Sequence, residues 1–141
     1  SDANPGLAHS LPPDQMRLIA DRAHGNDLEA VRLMVDVGFD TRARGVDGWE
    51  PLRWAAFHGN ADMVERLLTR PAPIGEPDPS YGGTPMGNCL YGSLHGWSRD
   101  TGDFARTVRL LLDAGERADP SIVPTGRDDV DAVLREHFGR R

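Results

Sequence analysis

The sequence predicts an all-α solenoid of stacked helix-turn-helix repeats joined by short hairpin-like loops. Three observations carry that prediction. Leu18 to Val31 recurs as Pro51 to Val64 at an offset of 33 residues, so that Ile19 meets Leu52, Ala23 meets Ala56, Val31 meets Val64, and Met34-Val35 meets Leu67-Leu68. A further copy opens at Thr84-Pro85-Met86, 34 residues after Glu50-Pro51-Leu52. Met63, Val64, Leu67 and Leu68 form an apolar stripe at helical spacing. A fixed period of this length marks architectures in which each unit buries its apolar face only against its neighbours.

Each element has a local reason. Met16 to Ala23 reads as the first helix of an N-terminal capping repeat. Gly59 can take the left-handed backbone that ends the first helix of repeat two, and Asn26 stands at the aligned place in repeat one. Asn60 is then placed to cap the second helix. Thr84 suits the N-cap and Pro85 the first helical position of repeat three. Its second helix runs from Asp103 to Leu112, and Val108 lies 44 residues after Val64, which leaves about ten extra residues between the two helices. Gly38 and Gly115 stop the second helices of repeats one and three. After Pro120 and Pro124, Asp128 to Phe138 has apolar residues at helical spacing and reads as a helix that closes the open end of the stack. The expected organisation is therefore a disordered segment or tag remnant over 1–11 and about three repeats over 12–43, 44–77 and 78–119, with an insertion near 93–102. A C-terminal cap over 120–141 completes it. The opening Ser1-Asp2-Ala3 lacks a methionine, so the natural protein is expected to continue upstream.

Asp47-Gly48-Trp49-Glu50-Pro51-Leu52-Arg53-Trp54-Ala55-Ala56-Phe57-His58-Gly59-Asn60 resembles the ankyrin signature, and Gly83-Thr84-Pro85-Met86 and Leu111-Leu112-Asp113-Ala114-Gly115 are similar to parts of it. The resemblance extends over about residues 14–119 and implies an ankyrin-type solenoid. The repeats are degenerate: Glu50 and Arg53 stand where the family has Thr and His, and Gly87 replaces that His again. These departures are expected to weaken the hydrogen bonds between neighbouring turns and to leave the apolar core intact.

The resemblance also implies a binding surface, the concave groove formed by hairpin tips and first-helix ends. The helix ends are His24 and Gly25, Phe57 and His58, and Tyr91 and Gly92. The tips are Arg44, Val46, Asp47 and Trp49, then Asp78, Ser80, Tyr81 and Gly83. His24, Phe57 and Tyr91 would form a ladder with one rung per repeat, flanked by Trp49 and Tyr81, and aromatic residues are favoured binding anchors. Trp97 adds a further aromatic in the insertion. The partner-binding set is thus His24, Arg44, Val46, Asp47, Trp49, Phe57, His58, Tyr81, Tyr91 and Trp97. The alternative is that Trp49 and Phe57 pack against neighbouring repeats and that Trp97 folds back over the helices.

Other chemistry finds little support. Cys89, His95 and Asp100 superficially suggest a thiol nucleophile with its base, but Cys89 aligns with Ala55, a small-residue position against the partner helix. Histidines are scattered one per element, and His58 and Asp62 are separated by the Gly59-Asn60 turn, so no metal site is expected. Gly82-Gly83 before a helix could hold an anion, though the turn needs no ligand. A net charge of −6 disfavours nucleic acid, no apolar run suits a bilayer, and a lone cysteine fits a reducing compartment. The expectation is a monomeric, cytoplasmic scaffold that binds another protein or a peptide, without cofactor, metal, membrane or catalysis. A regulatory or inhibitory subunit capturing a peptide or small ligand in the same groove is the alternative.

Overall fold

The computed structural model describes residues 12–140, so the N-terminal segment 1–11 lies outside the described residues. Helices α1 (Pro13–Met16), α2 (Leu18–His24), α3 (Leu28–Asp36), α4 (Pro51–Phe57), α5 (Ala61–Leu67), α6 (Pro85–His95), α7 (Phe104–Asp113) and α8 (Asp128–Gly139) follow one another, with short 3-10 turns at Val46–Gly48 and Pro120–Ile122. No strand occurs among the described residues. α2, α4 and α6 pack side by side as one layer, and α3, α5 and α7 form a second layer behind them. α8 packs on α7.

Each second helix is started the same way. The side chains of Asp27, Asn60 and Asp103 accept from the amides of Ala30, Met63 and Arg106, each at 3.1 Å, which satisfies one amide that the helix start leaves open. The turns before the caps Asp27 and Asn60 need a sharp reversal. Gly59 meets it at φ 61° and Asn26 at φ 60°. Thr84 caps α6 through the Gly87 amide at 3.3 Å.

The core runs continuously through the layers. Ile19 and Ala23 of α2 and Val31 and Val35 of α3 meet Leu52, Ala55 and Ala56 of α4 and Met63, Val64 and Leu67 of α5. Met86 and Cys89, then Phe104, Val108 and Leu111, then Val130, Val133 and Leu134 continue it to α8. All seven residues of α4 are buried, as expected for the middle of a stack.

Two features depart from the sequence reading. The first helix of repeat three does not end at Tyr91-Gly92 but continues to His95, so the first residues of the insertion are helical. Nothing at that position enforces a left-handed stop, and Gly92 instead permits close approach: a Cβ there would lie 1.9 Å from the Phe57 carbonyl oxygen. The second departure concerns Arg53. Its guanidinium is fully buried and donates to the Gly83 carbonyl at 2.8 Å, to the Glu76 carbonyl at 2.9 Å and to Asn88 Oδ1 at 3.3 Å, while its Nε meets Glu50 Oε1 at 2.7 Å. The Glu50–Arg53 replacement therefore ties repeat two to the turn of repeat three. It makes the inter-repeat hydrogen bonds that it was expected to weaken.

Candidate functional site

Between the ends of the first-layer helices and the tips of the loops lies an open cleft of ≈ 660 Å³, lined by His24, Val46, Asp47, Trp49, Trp54, Phe57, Tyr81, Gly83, Gly87, Asn88, Tyr91 and Trp97. The chain has three tryptophans and two tyrosines, and all of them line this one cleft. Among the fully buried core residues outside the cleft, Phe104 is the one aromatic ring, so stacking there proceeds without such a concentration.

The elements place these rings as follows. α2 presents His24 from its last turn, and its ring lies edge-on to Trp54 at 4.4 Å. α4 supplies Trp54 and, one turn later, Phe57, with ring centroids 5.8 Å apart. α6 supplies Tyr91, stacked on Phe57 at 6.4 Å. The turn before α4 sends Trp49 against Trp54 at 4.5 Å and Phe57 at 6.0 Å. Tyr81, from the next loop, stands at 90° to Trp49 at 6.3 Å. Trp97, beyond the end of α6, returns to lie nearly parallel to Trp54 at 6.2 Å and edge-on to His24 at 5.4 Å. The insertion of repeat three thus reaches back to repeat one.

Exposure divides the rings into floor and rim. Trp49 and Phe57 are 5% and 8% exposed and belong to the core, as in the packing alternative, while also forming the cleft floor. Tyr81, Tyr91 and Trp97 are 73%, 61% and 69% exposed. The ladder is also rearranged, because Trp54 stands between His24 and Phe57. Sequence reasoning missed Trp54, Gly87 and Asn88. Trp54 fills a variable place in the repeat motif, and the usable signal was its position three residues before Phe57, on the same helix face. Asn88 occupies the matching place 34 residues later.

Two of the expected groove residues do not line the cleft. His58 is buried behind it: Nε2 lies 2.8 Å from the His24 carbonyl oxygen and Nδ1 lies 3.1 Å from Ser98 Oγ. Burial pushes its pKa below the ordinary histidine value, partly offset by the bond to the His24 carbonyl. Arg44 turns away, with Nε 3.9 Å from Glu50 Oε2. The remaining tip residues close their own loop. The buried Asp78 carboxylate accepts from the amides of Ser80, Tyr81 and Gly83 at 2.9, 2.6 and 3.0 Å. Burial opposes its charge, but these amides outweigh it and hold the carboxyl below the usual carboxylate range. Ser80 Oγ donates to the Asp47 carbonyl at 2.5 Å. Because Asp78 takes the Gly83 amide and the Gly82 amide donates to the Asp78 carbonyl, the Gly82-Gly83 turn is internally satisfied.

The thiol constellation is dismantled by packing. Cys89 is fully buried between helices and burial pushes its pKa up, whereas His95 faces solvent beside Tyr91, with ring centroids 5.0 Å apart. A buried, protonated thiol behaves as a small apolar group. No cluster of His, Cys, Asp and Glu suited to a metal ion occurs among the described residues, and no helix there is long and apolar enough to cross a membrane.

Comparison with known proteins agrees with this architecture. A family model described as ankyrin repeats in many copies matches residues 19–68, which span α2 to the end of α5. The Notch-regulated ankyrin repeat-containing protein B of Danio rerio is 39% identical over 44% of this chain and 56% of its own length. The Notch-regulated ankyrin repeat-containing protein of Homo sapiens is 36% identical over 44% of this chain and 54% of its own. The serine/threonine-protein kinase 12 of Arabidopsis thaliana is 33% identical over 49% of this chain but only 15% of the kinase. The chain thus spans about half the length of the Notch-regulated relatives it matches. With repeats recognised over residues 19–68 and helix pairs stacked in two layers, the chain contains ankyrin repeats and has the fold of an ankyrin solenoid.

Proposed function

We propose that this chain is a protein-interaction module whose aromatic cleft seats a segment of another protein. Ankyrin repeats generally mediate contacts between proteins. The observation that carries the finer reading is the gathering of every tryptophan and tyrosine around one concave cleft, with three rings left on its rim. Large, rigid aromatic side chains contribute contact area at little entropic cost, and an exposed apolar patch of this sort marks an interaction site. In this reading the module acts as a monomeric scaffold in the cytoplasm, without catalysis or cofactor and without nucleic acid or membrane as partner. The alternative role, a regulatory or inhibitory subunit capturing a peptide or small ligand, draws on the cleft volume, which lies within the range of small-molecule sites.

Site-directed photo-cross-linking tests the surface. Tyr91→p-benzoylphenylalanine and Tyr81→p-benzoylphenylalanine, in the full chain exposed to native extract, are expected to capture one common protein. Leu33→p-benzoylphenylalanine, on the exposed face of α3, is expected not to capture it. Equal capture from Leu33 would remove the cleft as the binding surface.

A further inference from the structure

We infer that the segment seated in the cleft carries an arginine, whose guanidinium enters the aromatic box with Asp47 as its counter-ion; this rests on the cleft being the binding surface. The box combines rings set at steep angles with one stacked pair. Tyr81 stands at 90° to Trp49, Trp49 at 71° to Phe57, and Phe57 is stacked with Tyr91, with successive centroids 6.0–6.4 Å apart. A ring face carries partial negative charge and attracts a cation, arginine most often among side chains, since its flat guanidinium also stacks on aromatic faces.

Charge points the same way. Asp47 is the one carboxylate in the lining, it is exposed, and it has no ion-pair partner among the described residues. Apart from His24, no basic side chain lines the cleft, and Arg44, the nearest in sequence, is directed at Glu50. The whole chain carries −6, which favours the approach of a cationic segment. An acidic segment would find no arginine to meet it.

The main competitor is a proline-rich segment, which aromatic grooves also take. Such grooves use several indole N–H groups as donors to peptide carbonyls, but Trp49 Nε1 and Trp54 Nε1 are sealed from solvent and lack any partner, which leaves Trp97 alone of the three indoles. An incoming carbonyl cannot reach the sealed pair without displacing the rings above. Tyr81, Tyr91 and Trp97 are exposed on the rim, where an incoming cation meets rings first.

The three indole N–H signals of the nitrogen-15-labelled full chain report binding directly. Three probes are titrated: acetyl-Gly-Arg-Gly-amide, its citrulline counterpart, which keeps the shape and loses the charge, and acetyl-Gly-Pro-Pro-Pro-Gly-amide. The arginine peptide is expected to shift the indoles saturably and to bind roughly tenfold more tightly than the citrulline peptide. Asp47→Asn, which tolerates the φ of 61° at that position, and Tyr81→Leu, which keeps apolar area without a π face, should each abolish most of that preference. Both side chains are exposed, and the remaining amide signals verify the fold. Citrulline or proline peptides binding as tightly as the arginine peptide would overturn the inference and leave the cleft standing as a binding surface. Silence from all three probes at millimolar concentration would overturn it as well, and the cross-linking experiment alone would then decide the cleft.

Discussion

Arg53 shows how a departure from the repeat motif can be repaired by chemistry of a different kind. The family position calls for a small hydrogen-bonding ring, whereas an arginine reaches further. It engages two carbonyls of the following turn and is neutralised by Glu50, three residues earlier on the same segment. A buried pair of this sort contributes little over an apolar substitute, but breaking it strands a charge. Arg53→Met is therefore expected to lower the unfolding free energy by about 3 kcal/mol, the low end for a broken buried pair. Arg42 and Arg44, each 3.9 Å from Glu50 Oε2, soften the loss. Glu50→Gln/Arg53→Met should recover part of the deficit in urea denaturation. A single variant as stable as the parent would show the pair to be dispensable. The residue types at 50 and 53 were plain in the sequence, but their role was not. The carbonyls of Glu76 and Gly83 belong to a loop 23 and 30 residues away whose path no local pattern specifies.

At the scale of elements, the insertion of repeat three is part helix and part strap. α6 gains its last turn, and the chain then returns so that Ser98 meets His58 and the Asp103 amide donates to the Gly59 carbonyl at 2.8 Å. His58 links the end of α2 to that strap and is held below its ordinary value of 6.5 by burial. The folded state thus prefers the neutral ring. Its contribution to stability is fully present above the unfolded value and is lost as pH falls below it towards the folded one. The urea midpoint of the protein is expected to decline between about pH 7 and pH 5. His58→Gln should flatten that decline, whatever its effect at neutral pH. An identical slope in parent and variant would exclude His58 as its source. Sequence reading located the extra residues and Trp97, but the boundary between helix and strap depended on how closely α6 could cross α4 at Gly92.

For the whole molecule, each helix pair is stable only through its neighbours, so the ends matter as much as the middle. α8 covers α7 with Val130, Val133 and Leu134, all in the continuous core. Three buried aliphatic side chains at about 1.5–3 kcal/mol each amount to a large share of a small domain's stability. Removing residues 120–141 is expected to lower the melting temperature sharply and broaden the transition in calorimetry. An unchanged melting temperature would refute the capping role.

The helix pairs, their caps and their period were legible from short-range pattern, because capping, left-handed turns and apolar spacing act within a few residues. Asn26, Gly59, Asn60 and Thr84 behave as their neighbours dictate. Most of the groove followed from the same period, since equivalent residues of stacked repeats must share a face. Packing between repeats settled the remainder. It sank His58 behind the cleft, turned Arg44 to Glu50, drew Trp54 into the row of rings, and made Trp49 and Phe57 serve core and surface together. The aromatic cleft is an outcome of distance and angle between rings carried on separate repeats. Those quantities exist only once the helices have stacked.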